Sequence, residues 1–184
     1  IKEYLTENQR IIFNGNGYSD EWVAEAERRG LPNIKSMVEA IPAITTDKAV
    51  ELFERFSVFT KAELESRAEI QYEGYSKALN IEARAMIDIA SKHIIPSVLQ
   101  YTTALATSIN QIRSACAEAN ISVQIELLKD CSSLLAATKA ALKALTEVTE
   151  KAAATTEGRE RAVYILENVV PAMEALRQPV DKLE

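Results

Sequence analysis

With 184 residues, 47% of them apolar, the chain is long enough to bury a core within one domain. Five glycines and five prolines, against abundant Ala, Glu, Lys and Leu, favour helix over sheet. A net charge of −6 with no compensating basic cluster argues against nucleic-acid binding, and no run of about 18 apolar residues is present to span a membrane.

No signal-peptide pattern opens the chain. It begins at Ile1 rather than methionine, which predicts that it is a piece of something longer. Its two cysteines, Cys116 and Cys131, both fall on predicted apolar helix faces. That placement predicts small core residues in a reducing compartment rather than a disulfide.

In chain order, residues 1–12 predict a short helix with Tyr4, Leu5, Ile11 and Ile12 apolar. Phe13-Asn14-Gly15-Asn16-Gly17-Tyr18 reads as a turn, because Asn-Gly pairs tolerate positive φ. Two glycines one residue apart are weak evidence for a phosphate loop, since no Lys-Ser or Lys-Thr follows. Ser19 predicts a helix cap, with Asp20 and Glu21 at the positive helix end, Arg28 and Arg29 at the negative end, and Gly30 and Pro32 beyond. A second short helix is expected over Ser36 to Ala40. A third starts at Thr46 and is expected to bury Val50, Leu52, Phe53 and Phe56. Residues 1–59 therefore read as a small subdomain of short helices and turns.

Residues 60–184 read as a long-helix bundle. Thr60-Lys61-Ala62-Glu63 has the form of a capping box. From there an apolar stripe runs through Leu79, Ala83, Met86, Ala90, Ile94, Val98, Tyr101, Leu105, Ile109, Ile112 and Cys116, in steps of three or four. The spacing predicts one helix from Thr60 to Ala119. Gly74 is a weak point in it, and Pro96 predicts a kink near 92–96, because proline lacks an N–H and clashes with the Lys92 carbonyl. Asn120 is expected to end the helix and Ser122 to cap the next. That one carries Leu128, Cys131, Leu135, Thr138, Leu142, Leu145, Thr149 and Ala152, flanked by a seven-residue row of Leu127, Leu134, Ala141 and Val148. After Thr155-Thr156-Glu157-Gly158 the last helix carries Ala162, Leu166, Val169, Met173, Leu176, Val180 and Leu183, with bends expected at Pro171 and Pro179. The short connections make neighbouring helices antiparallel. The fold class is all-α: a long kinked helix in an antiparallel bundle, with a small N-terminal subdomain.

No arrangement of residues points to a reaction. There is no Ser-His-Asp set, CxxC, HExxH or phosphate-binding loop. His93 is the sole histidine and has no ligand-type residues at metal-binding spacing, so it reads as a surface or hydrogen-bonded side chain. Glu63, Glu65, Glu69 and Glu73 fall on a solvated face, while Glu82 and Asp88 lie near the stripe and are expected to be partly buried. Tyr72, Tyr75 and Tyr101 read as packing and edge residues. No catalytic, cofactor-binding or metal-binding residue is assigned. The residues taken alone describe a helical interaction or assembly module.

Several stretches are nevertheless distinctive as strings. They are Arg10 to Trp22 and Glu25 to Asn33, then Ser66-Arg67 through Asn80 to Arg84, His93 to Ser97, and the closing Val180 to Glu184. Together they resemble the C-terminal part of type III glutamine synthetases. The resemblance implies a large cytoplasmic ligase that joins ammonia to glutamate with ATP and Mg or Mn, in rings of subunits whose active sites lie between neighbours. It implies that the catalytic motifs precede Ile1 and that residues 1–59 are the tail of a catalytic region. The partners implied are the rest of the synthetase chain and neighbouring subunits in a homo-oligomer, with no nucleic acid or membrane. The alternative is an independent helical interaction or sensor bundle without enzymatic activity.

Overall fold

Thr60 starts the element on which the other helices are laid. In the computed structural model, which describes residues 1–184, its hydroxyl accepts from the Glu63 amide while the Glu63 carboxylate accepts from the Thr60 amide, the reciprocal capping box predicted. Helix then runs without interruption from Lys61 to Ala115, about 80 Å at 1.5 Å per residue. It comprises α5 (Lys61–Ile89), a π turn (Ala90–Ile94) and α6 (Ile95–Ala115). Ahead of it lie α1 (Lys2–Glu7), α2 (Asp20–Arg28), α3 (Met37–Ala40) and α4 (Asp47–Arg55), with short 3-10 turns at Gln9–Ile11 and Ile41–Thr45. After it come α7 (Ser122–Ala154) and a last rod of α8 (Arg159–Tyr164), a second π turn (Ile165–Val169) and α9 (Val170–Leu183). There is no strand.

The three rods form an up-down-up bundle. The end of α7, Thr149 to Ala153, faces Glu73 to Asn80 of α5, and its middle, Ala136 to Glu147, faces Ile87 and Ser91. The last rod fills the remaining side. Ala83, Ala90, Leu142, Leu145, Ala152, Ile165, Val169 and Leu176 make the main core, with Met86, Ala141, Val148 and Met173 packed around it. Alanines at 83 and 90 let the rods approach closely. Thr138 and Thr149 are tolerated inside because their hydroxyls donate back to the Leu134 and Leu145 carbonyls at 2.8 and 2.7 Å. A second cluster joins Val38 and Ile41 to Ala68, Tyr72 and Ala162, which holds the 36–45 segment against the base of the bundle.

The prolines act differently from the expected clash. At Pro96 the hydrogen-bond ladder widens first: the Ile95 amide donates to the Ala90 carbonyl, five residues back, and Pro96 then falls at the start of a fresh α segment, where an N–H is dispensable. The last rod repeats the device. The Val170 amide donates to the Ile165 carbonyl and Pro171 follows. Pro179 lies inside α9 and is buried.

Other expectations are corrected at the ends of the rods. The long helix stops at Ala115, not Ala119, because Cys116 turns extended (φ −151°) and the chain reverses to bury Ile121 between the rods. Cys116 is therefore exposed and Cys131 half-buried; both are free thiols rather than core residues. Ser122 does not cap α7. Instead the Asn120 side chain accepts from the Ser122 amide at 3.0 Å. Leu52, Phe56 and Tyr101 are exposed rather than buried, because no other rod covers their sides.

Gly158, at φ +82°, opens the last rod in a conformation L-residues avoid, and a Cβ there would lie 2.6 Å from the Glu69 carboxylate. Gly158→Ala should therefore lower stability by about 1–2 kcal/mol, read as a fall in the denaturant midpoint at unchanged slope.

Candidate functional site

The N-terminal loop is the most elaborately built polar feature. Ser19 caps α2 by accepting from the Trp22 amide, so Trp22 sits on the first turn and Phe13 stacks on it with ring centroids 4.4 Å apart. One turn on, Glu25 takes both Arg28 and Arg29, at 2.6 and 2.5 Å. Arg29 lies over the Trp22 ring and donates to the Ile12 carbonyl at 2.7 Å. Loop, tryptophan and α2 are thereby tied together. The hydrogen bonds from Arg28 and then Arg29 hold the Glu25 carboxyl down at about 2. The spacing Glu25-x-x-Arg28-Arg29 carries this signal, since positions three and four apart share a helix face.

Neither Gly15 nor Gly17 in this loop has positive φ, which corrects the expected reason for the Asn-Gly pairs. Gly15 is needed because a Cβ would meet the Phe13 ring at 2.6 Å, and Gly17 faces open space.

Elsewhere the acids pair along their own helices. Glu65 pairs with Lys61, Glu73 with Lys77 at 2.5 Å, Asp88 with Lys92, and Asp181 with Arg177. Glu63 is occupied as a cap. Glu82 and Asp88 are exposed, not partly buried, because their sides of α5 look outward. His93 is exposed on the π turn. Tyr72 is buried in the lower cluster, and Tyr75 is half-buried, its phenol pushed up by burial and then by the Glu82 charge. No three of the His, Cys, Asp and Glu side chains are grouped so as to hold a metal ion. That arrangement offers no fit for the divalent metal implied by the resemblance.

Among the concave features are two with contrasting linings. A cavity of about 140 Å³ lies where α5 meets the α7–α8 elbow, lined by Ser76, Lys77, Asn80, Glu157 and Arg161. The Ser76 hydroxyl is buried there without a protein partner. The charges around it are already matched: Lys77 to Glu73, and Arg161 to Glu157 and to the Thr155 carbonyl at 2.8 Å. The volume suits a few waters, each taking about 30 Å³ in the liquid. The second feature is an apolar groove of about 670 Å³ between α5 and α9, lined by Leu79, Met86, Ile89, Ile94, Met173 and Val180. Beyond it, residues 1–59 expose a series of large apolar side chains, including Tyr4 (73%), Leu5, Tyr18 (100%), Phe56 (67%) and Val58. These are concave and apolar surfaces between and beside the helices.

Comparison with known proteins decides what these surfaces belong to. The sequence model of the glutamine synthetase C-terminal domain matches residues 1–113. The chain belongs to the glutamine synthetase C-terminal domain family. Along its whole length it is similar to glutamine synthetase of Butyrivibrio fibrisolvens, at 38% identity, and to that of Bacteroides fragilis (strain YCH46), at 33%. Over 61% of its length it is 38% identical to the type-3 glutamine synthetase of Dictyostelium discoideum. The chain spans only about a quarter, 26%, of the first two relatives, and 15% of the third. The Arg10–Asn33 string, the most specific part of the resemblance, lies within the matched region and coincides with the Phe13–Trp22–Glu25–Arg29 tie. No helix is long and apolar enough to cross a membrane.

The low Glu25 value sets a pH dependence. A carboxyl held below its ordinary 4.5 contributes stability that is full above that value and is lost as pH falls through about 2. NMR titration should place the Glu25 carboxyl near 2. Across pH 4.5 to 2, Glu25→Gln should lose less stability than the parent chain; equal losses in both would show that the pairing is not made in solution.

Proposed function

We propose that this chain serves as the C-terminal helical unit of a type III glutamine synthetase, buttressing the catalytic region and supporting assembly, with no catalytic site of its own. The intact enzyme would join ammonia to glutamate in the cytoplasm, using ATP and Mg or Mn held by residues outside this chain. The observation that carries the reading is a full-length match to glutamine synthetases of which the chain forms only 26%, joined to the absence of any metal-grouping side chains. Residues 1–59 act as the docking unit. Their exposed Tyr4, Leu5, Phe56 and Val58 are too numerous to be left in water without a partner surface. Residues 60–184 then form the long-helix bundle that projects from that base.

The purified 184-residue chain should form no glutamine from glutamate, ammonia and ATP in a preparation free of host enzyme. The intact protein that contains it should form glutamine. Turnover by the isolated chain would overturn the structural role, and absence of turnover by the intact protein would overturn the synthetase reading.

A further inference from the structure

The groove between α5 and α9 is left open by the rest of the chain. One wall runs from Leu79 to Ile94 and the other from Val170 to Glu184, about 20 Å each. The middle of α7 lies on another flank of α5, at Ile87 and Ser91, and does not close it. Wall positions recur every three or four residues: Leu79, Glu82, Met86 and Ile89 on α5, then Val170, Met173, Arg177 and Val180 on α9. Ala90 and Leu176, both buried, form the floor. Ile89 lines the groove yet is 52% exposed. Two helical walls with this period match the ridges of a third helix of about 15 residues, and methionine adapts to an inserted side chain.

Charge selects the occupant. Three carboxylates, Glu82, Glu174 and Glu184, line the groove, and none has an ion-pair partner. Elsewhere on α5 the acids take a lysine four residues away, as Glu73 takes Lys77 and Asp88 takes Lys92. Around Glu82 the positions three and four away hold Ala78, Leu79, Ala85 and Met86. The one base in the lining, Arg177, is taken by Asp181 at 3.3 Å. An apolar floor therefore carries an anionic rim whose cations are not supplied by its own helices.

We propose that this groove receives a basic amphipathic helix of a separate protein, with an apolar stripe on the floor and lysines or arginines against Glu82, Glu174 and Glu184. Like charges rule out the alternatives. Phosphate-bearing surfaces, whether nucleic acid or anionic lipid, are repelled by the rim. The same groove on a second copy would set carboxylates against carboxylates. The short helices of a second copy fit no better: α1 has one base against two acids, α2 one against four, and α4 two against three. A simple polycation would leave the floor uncovered, so the guest must be apolar on one face and cationic on its flanks.

The test uses the intact protein that contains this chain. The probe is a synthetic helical peptide of about 15 residues, with leucine at every third or fourth position and lysine between, a fluorophore, and one benzophenone side chain on the leucine face. A matched peptide has glutamate for lysine. Fluorescence anisotropy should show saturable binding of the lysine peptide and none of the glutamate peptide. Glu82→Gln combined with Glu174→Gln should weaken the lysine peptide about fivefold at unchanged helix content. On illumination of the unmodified protein, a readout independent of any variant, the benzophenone should couple to Met86 or Met173. Both peptides binding alike, parent and variant binding alike, or labelling confined to other surfaces would each overturn the docking site in favour of unspecific adhesion. Absence of saturable binding would overturn it in favour of a groove already filled within the intact protein.

Discussion

An 80 Å helix with an apolar stripe along one side cannot stand alone in water. Most of what this chain does structurally follows from covering that stripe. The cover comes in three pieces. The 36–45 segment lies against Ala68 and Tyr72 at the base, the last rod runs from Ala162 to Leu183, and α7 lies along the rest. Each piece buries a single line of side chains, so the protein is thin: 21 of 184 residues are buried, and the innermost positions are as often alanine or threonine as leucine. Small residues let the rods approach, and threonine is admitted where its hydroxyl can return to its own helix. Ser76 lacks that return bond and faces the cavity at the α7–α8 elbow.

The prolines show how a helix of this length is kept continuous. A π turn ahead of Pro96 and another ahead of Pro171 each insert one residue, shift the ladder and place the proline where its missing N–H does no harm. The stripe on the long helix carries the trace of the insertion. Met86, Ala90, Ile94 and Val98 are separated by three successive steps of four. Steps of four alone would walk the stripe around an α-helix, and the wider π turn brings it back into line. Period and proline together thus contain the π turn, although either alone reads as a kink.

Function follows from the same economy of parts. Acid and base side chains here are matched locally, in pairs three or four residues apart on a helix surface. That pattern fixes local helix conformation and groups no three ligand-type side chains around a metal ion. The one long-range polar tie, Arg29 to the Ile12 carbonyl with Trp22 and Phe13 stacked beneath, organises a loop.

Helix period and the capping box at Thr60 are local, and local rules determined them from the sequence: the all-α class, the start at Thr60, the cap at Ser19 and the three rods were all legible there. What the sequence could not decide is which apolar side chains have a neighbour. Leu52, Phe56, Leu99 and Tyr101 are as apolar as Leu142 and Leu145, yet they stand in water while the latter two are sealed, because burial depends on which elements happen to lie alongside. The stop at Ala115 is of the same kind. Residues 116–119 could continue a helix, but reversal there places Ile121 inside. Hydrophobic burial has no direction and acts only between elements that meet, so tertiary structure alone settled which surfaces this protein keeps open.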